Sequence, residues 1–177
     1  MNNVIDRKRI FEEVRDLPYR IPLEYNEPDY ACEGKYKMFM KLADRYNIKA
    51  RPLVFEYQWT SLNLPRKLLK YTLEEDVLHI CPEVYIEERG IWVPADPTWD
   101  IKLKNKHNGI YVNEWDGESP TRLSAPPTRI CTPEESLESS LEEMTKGEFD
   151  EDLKQNGGFY KAFNEWLEEL RDKNRDK

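Results

Sequence analysis

Several things are scarce or missing in this sequence. No uninterrupted apolar stretch approaches the roughly 20 residues of a membrane-spanning helix. The opening residues Met1-Asn2-Asn3-Val4-Ile5-Asp6-Arg7 lack the apolar core of a secretory signal. The expectation is a cytoplasmic protein with no membrane partner. Basic charge is in deficit, 27 Lys+Arg against 35 Asp+Glu for a net −8, so no chain-wide positive field exists to release counterions from a nucleic acid. The three cysteines, Cys32, Cys81 and Cys131, are odd in number and widely spaced, which suits neither a disulfide framework nor a Cys-x-x-Cys metal pair. Any cysteine that matters should act as a free thiol. Of the two histidines, His107 sits in the polar run Lys104-Asn105-Lys106-His107-Asn108, too few ligands for a zinc site. No metal and no cofactor is expected, and no internal repeat is visible.

What is present fits one core-bearing globular domain. The chain has 177 residues, 38 % hydrophobic and 12 % aromatic, enough for a core of its own. With 35 % charged residues and a mean hydropathy of −0.87, much of it must face water. The charge is uneven: residues 133–177 hold 14 acidic and 7 basic side chains, leaving a nearly neutral body. The Pro-rich connector Ser124-Ala125-Pro126-Pro127-Thr128 precedes this boundary. The chain therefore divides into an α+β domain over 1–132 and an acidic helical extension over 133–177, packed on or beside it. That extension is read as a solvated face, or as a surface for a protein partner.

Ile10, Phe11, Val14 and Leu17 predict an amphipathic helix over Arg7 to Leu17, closed by Pro18. From Asp29, which can cap a helix, Cys32, Tyr36, Phe39, Ala43 and Tyr46 step by four, three, four and three, predicting a second helix that ends at Asn47-Ile48-Lys49. Arg51 to Gln58 has strand composition. Residues 60–76 mix Asn63, Pro65, a basic patch and leucines, and read as an insertion or lid with room for a helical turn. Val77 to Ile86 and Ile91 to Asp96 flank Glu87-Glu88-Arg89-Gly90, a hairpin whose opposed residue numbers should sum to about 175 to 177. That register sets His79 opposite Asp96 to Thr98. Gly109 to Val112 and Thr128 to Cys131 read as further strands. Thr132-Pro133-Glu134-Glu135 is a capping box, and Phe159, Phe163, Trp166, Leu167 and Leu170 mark one face of a final helix.

Cys32 falls in the first turn after a plausible cap, where unpaired N–H groups and the helix dipole stabilise a thiolate. A neutral imidazole at His79 can take the thiol proton, and Asp96 across the hairpin can hold the other ring nitrogen. Singly, each has an ordinary reading: a buried structural thiol, a hydrogen-bonded histidine, a turn aspartate. Together they form the set needed for acyl transfer. Cys81, two residues from His79, shares its strand face as a core or site-lining thiol. Arg51 and Glu83 read as a buried polar partnership. Tyr25, Tyr30, Trp59, Trp99 and Trp115 read as core, rim or cleft lining.

Three blocks carry a resemblance: Ala31-Cys32-Glu33 with its helix and Asn47-Ile48-Lys49-Ala50-Arg51; His79-Ile80-Cys81-Pro82-Glu83-Val84-Tyr85; and Trp92-Val93-Pro94-Ala95-Asp96-Pro97-Thr98. In order and spacing, over about residues 30 to 99, they resemble the transglutaminase-like cysteine enzymes, which include transglutaminases, related peptidases and amidases, and peptide N-glycanases. The resemblance implies a papain-like α+β core with a helix bearing Cys32 at its start, packed on an antiparallel sheet bearing His79 and Asp96. It implies Cys32 as nucleophile, His79 as general base and then acid, and Asp96 as orienting acid, acting on a peptide or protein amide. Asn47 and Lys49 stand where the family usually has Gly and Pro, Cys81 stands for a usual Trp, and no Trp precedes Cys32 to donate to an oxyanion. Asn26 and Gln58 are candidates for that donor beside the Cys32 N–H. Hydrolysis is favoured over crosslinking, because no calcium loop is evident. The alternative is an inactive transglutaminase-fold protein that acts as a protein-binding module; acyl transfer from a CoA thioester would need a CoA site that the sequence does not display.

Overall fold

A computed structural model describes residues 4–71 and 76–172. Helix α1, Val4–Arg15, buries Ile10, Phe11 and Val14 completely. It ends before Leu17, as expected of a chain approaching Pro18, which has no N–H to give a helix. Its Arg7 is also buried and donates two hydrogen bonds to Glu88, at 3.0 and 3.1 Å, in a turn of the sheet.

Helix α2, Cys32–Arg45, begins three residues later than Asp29, with extended Ala31 as its cap. Asp29 still serves the helix from outside: its carboxylate accepts the Ala31 N–H at 2.7 Å and the Gly34 N–H at 2.8 Å. This close wrap requires glycine at position 34, where a Cβ would lie 1.9 Å from the Asp29 carbonyl oxygen. The buried stripe Tyr36, Phe39 and Ala43 packs α2 across the sheet, and Asn47, at φ 54°, turns the chain out of it.

The sheet is antiparallel with strand order β3-β2-β1-β4, formed by β1 (Ala50–Tyr57), β2 (Val77–Ile86), β3 (Ile91–Pro94) and β4 (Arg129–Ile130). In the β2–β3 hairpin Ile86 opposes Ile91 and Glu83 opposes Pro94, so the numbers sum to 177, within the expected register. Gly90, at φ 66°, closes the turn. Arg51 and Glu83 are paired across β1 and β2 and joined at 2.6 Å.

Two clusters of buried side chains flank this sheet. One joins α1, α2, Val84, Ile86, Val93 and Trp115. The other joins Leu53, Phe55 and Tyr57 of β1 to Leu62, Leu64 and Leu68 and to the final helix. Residues 60–71 are therefore not a lid: they form a 3-10 turn at Trp59–Leu62 and the short helix α3, Arg66–Leu69, and their Leu62, Leu64 and Leu68 are core while Leu69 is exposed. The remainder of that predicted segment, 72–75, lies outside the described residues. Gly109 to Val112 is also not a strand; Ile110 and Val112 are buried from an irregular segment.

Helix α4, Pro133–Leu141, carries both halves of the Thr132/Glu135 capping box and lies along β1. Helix α5 runs over Lys146–Asp172, longer than its apolar stripe predicts, and continues through Gly157-Gly158. It inserts Phe159, Phe163, Trp166, Leu167 and Leu170 into the second cluster, each worth roughly 1.5–3 kcal/mol when withdrawn from water.

Candidate active site

Cys32 is the first residue of α2 and is half-buried. Its N–H and that of Glu33 belong to the opening turn, whose donors have no acceptor within the helix. Two cavities, of about 460 and 610 Å³, both have Cys32 on their walls.

His79 lies in β2 opposite Phe55, with 5 % of its surface exposed. Its ring packs on Phe55 at a centroid distance of 4.8 Å and meets Tyr57 edge-on at 6.2 Å. Nε2 is held from three sides, by Thr98 Oγ1 at 3.2 Å, Ser124 Oγ at 3.1 Å and Asp96 Oδ2 at 3.5 Å. Asp96 is buried just past β3, and its carboxylate accepts the Thr98 N–H at 3.1 Å and the Ser124 N–H at 2.7 Å. Because Nε2 faces this group, Nδ1 is the nitrogen left for a thiol.

The electrostatics follow from this packing. Burial opposes charge on His79, but the Asp96 charge and hydrogen bond outweigh it, and Cys32 and Cys81 add to the effect, so the imidazole pKa is raised well above its ordinary value. Burial likewise opposes the Asp96 carboxylate, and the His79 charge with hydrogen bonds from His79, Thr98 and Ser124 holds its pKa below the usual range. Cys81 is different. Burial first, then the Asp96 charge, push its thiol up to about 12, so it stays protonated at neutral pH.

His79, Cys81 and Asp96 place their donor atoms within 4.8 Å of one another, a spacing that can bracket a cation. The chemistry of the set does not favour one: metal ligation needs a thiolate, and Asp96 already accepts two backbone N–H groups. The trio is better described as a hydrogen-bonded histidine site.

Three residues that sequence reasoning passed over hold this site together. Ser124 arrives from the Pro-rich connector to touch both His79 and Asp96. Thr98 lies inside the third motif block but carries no assignment there. Lys35, one turn after Cys32, is buried and donates from Nζ to the carbonyls of Thr98 at 2.8 Å, Arg15 at 3.1 Å and Pro97 at 3.4 Å. Burial lowers its pKa to about 7. Nothing in local spacing distinguishes this lysine from the exposed Lys37.

Of the proposed oxyanion donors, Asn26 lines the larger cavity with Cys32. Gln58 lines neither cavity, and its amide reaches Asp76 at 3.5 Å instead. Trp59 and Tyr25 line the larger cavity, while Trp99 and Trp115 are core side chains whose indole N–H groups donate to the Ser124 and Ser119 carbonyls. His107 takes a structural position, with Nε2 2.9 Å from the Leu62 carbonyl oxygen and its ring edge-on to Trp166.

Neither a protein-family model, nor a curated protein, nor a solved structure matches this chain. No helix among the described residues is long and apolar enough to cross a membrane.

Proposed function

We propose that this chain is a transglutaminase-like cysteine enzyme with a papain-like core, acting on an amide or peptide carbonyl through a Cys32 thioester. The observation that carries this reading is the position of His79: one ring nitrogen is held by Asp96, while the ring lines the same cavity as Cys32, the first residue of a helix. The motif blocks around the three residues support it independently.

In this reading the Cys32 proton passes to His79 and the resulting ion pair is stabilised by Asp96. Sγ attacks the carbonyl carbon, and the developing oxyanion accepts a hydrogen bond from the Cys32 N–H. The C–N bond breaks as His79 returns the proton to the leaving amine. Water, activated by the same imidazole, then hydrolyses the thioester to the acid and the free thiol; an amine in place of water would complete acyl transfer.

The test is alkylation of Cys32 by iodoacetamide at mildly acidic pH, with amidase or peptidase turnover measured in parallel. Cys32 should react faster than free cysteine, and Cys32→Ala should abolish turnover. Labelling no faster than free cysteine, together with turnover that survives Cys32→Ala, sinks the proposal; slow labelling with no turnover in the native chain leaves the binding-module reading.

A further inference from the structure

The two cavities that meet at Cys32 differ in chemistry. The larger has aromatic walls, contributed by Tyr19, Tyr57, Trp59, Phe149 and Tyr160, and His79 is not among its lining residues. Of its acids, Asp29 is engaged by the Ala31 and Gly34 N–H groups, Glu27 by Arg20 and the Leu23 N–H, and Asp152 by Asn156 and Tyr160, while Glu33 and Glu143 stand between the two cavities and line both. The smaller has His79 on its wall, and its charged side chains are Glu33, Glu142, Glu143, Glu148 and Lys37. Lys37 is already bound to Glu33 at 2.6 Å. Glu142, exposed in the connector between α4 and α5, and Glu148 line this cavity alone, and with the shared Glu143 they leave this side of Cys32 negative.

Resting on the function proposed above, we infer that the substrate is an amide with an aromatic or large apolar group on its carbonyl side and a cationic group on its amine side. The orientation follows from proton transfer. His79 must protonate the leaving nitrogen, so the amine half occupies the cavity that His79 lines, and the acyl half is left with the aromatic one. A flat apolar side chain gains most from aromatic walls, and a partly enclosed acidic cleft concentrates cations and disfavours anions. The Cys32 Sγ–carbon bond forms, the carbon–nitrogen bond breaks, the proton moves from His79 to nitrogen, and a cationic amine departs. Water then releases the aromatic acid and restores the thiol. In a peptide this specifies Phe, Tyr or Trp before the scissile bond and Lys or Arg after it.

Binding of four end-blocked peptides to full-length Cys32→Ala, by calorimetry, separates this specificity from turnover. The central pairs are Phe-Lys, Phe-Glu, Ala-Lys and the reversed Lys-Phe. Phe-Lys should bind about fivefold more tightly than Phe-Glu and about tenfold more tightly than Ala-Lys, with Lys-Phe weaker than Phe-Lys. Adding Glu142→Gln and Glu143→Gln should erase the preference for Lys over Glu and keep that for Phe over Ala. Equal binding of the four peptides, no binding at millimolar peptide, or a Lys preference that survives the double substitution overturns the inference. Alkylation of Cys32 in the unmodified protein reports on the enzyme reading separately. Rapid labelling without peptide discrimination sinks only the substrate class, whereas discrimination without labelling sinks the chemistry.

Discussion

Arg171, in the last turn of α5, is bound to Asp100, four residues beyond Asp96, with Nη2 2.7 Å from Oδ2. Both side chains are almost wholly buried, and Asp100 also accepts the Tyr19 N–H at 3.1 Å. The end of the final helix thus anchors the loop that carries the Asp96 carboxylate.

Arg171→Ala leaves the Asp100 charge buried and without its guanidinium, which should cost about 3–5 kcal/mol. The double variant Arg171→Met/Asp100→Asn should lose less, because no uncompensated charge remains. Urea unfolding of the three proteins checks this, and equal losses from the single and double variants would contradict it. Deletion of 133–177 should accordingly unfold the body, since it also strips the α5 side chains out of the core.

The His79–Asp96 pair sets a pH window for stability. Folding raises the His79 pKa, so its contribution is fully present below about pH 6.5 and is lost as the pH rises through the folded value. Folding lowers the Asp96 pKa, so its contribution is present above about pH 3.9 and is lost as the pH falls through the folded value. The stability difference between the native chain and Asp96→Asn should therefore peak between about pH 4 and 6.5. Urea midpoints taken across pH should show that maximum; a flat difference would mean that the pair is uncoupled.

Asp96→Asn should also lower any amide-cleaving activity by about 10²- to 10⁴-fold, the range of a mispositioned general base. Cys32 alkylation at mildly acidic pH should slow, because without the Asp96 charge His79 is a weaker acceptor for the thiol proton. A pH–rate profile of labelling, with unfolding monitored, distinguishes this from loss of structure.

Thiol accessibility should divide the cysteines. In the native protein iodoacetamide should modify Cys32 first and the half-buried Cys131 more slowly, and Cys81 only after denaturation, since it is 1 % exposed and its pKa is pushed to about 12. Peptide mapping of the labelled protein checks the order, and early modification of Cys81 would contradict the buried position.

Lys35→Met removes the donor shared by three buried carbonyls and should cost about 2–4 kcal/mol. The lysine pKa falls on folding from 10.5 to about 7, so between those values the unfolded chain binds the proton more firmly and stability rises with pH. The gap between native chain and Lys35→Met should therefore widen from pH 7 to 10, and urea midpoints at several pH values read it directly.

Much of this fold is legible in local pattern. The α1 and α2 stripes, the hairpin register summing to 177 and the Thr132/Glu135 box appear where the sequence places them. Each rests on a period of 3.6 or 2 or on a turn residue, and such signals need no knowledge of distant chain. Residues 60–71 misread as a lid because Pro65 and the lysines signal loop, while the burial of Leu62, Leu64 and Leu68 depends on α5, about a hundred residues away.

Sequence alone determined the types of α1, α2, the β2–β3 hairpin, α4 and α5, the pairing that brings His79 near Asp96 and Thr98, and Cys32 as the cysteine at a helix start. Only the tertiary structure decided what holds that arrangement: Ser124 on His79, Lys35 under the 97–98 carbonyls, Arg171 on Asp100. These are polar side chains buried by partners far along the chain. A polar residue bound for the interior carries no periodic mark, because its burial is favourable only once the distant acceptor is in place.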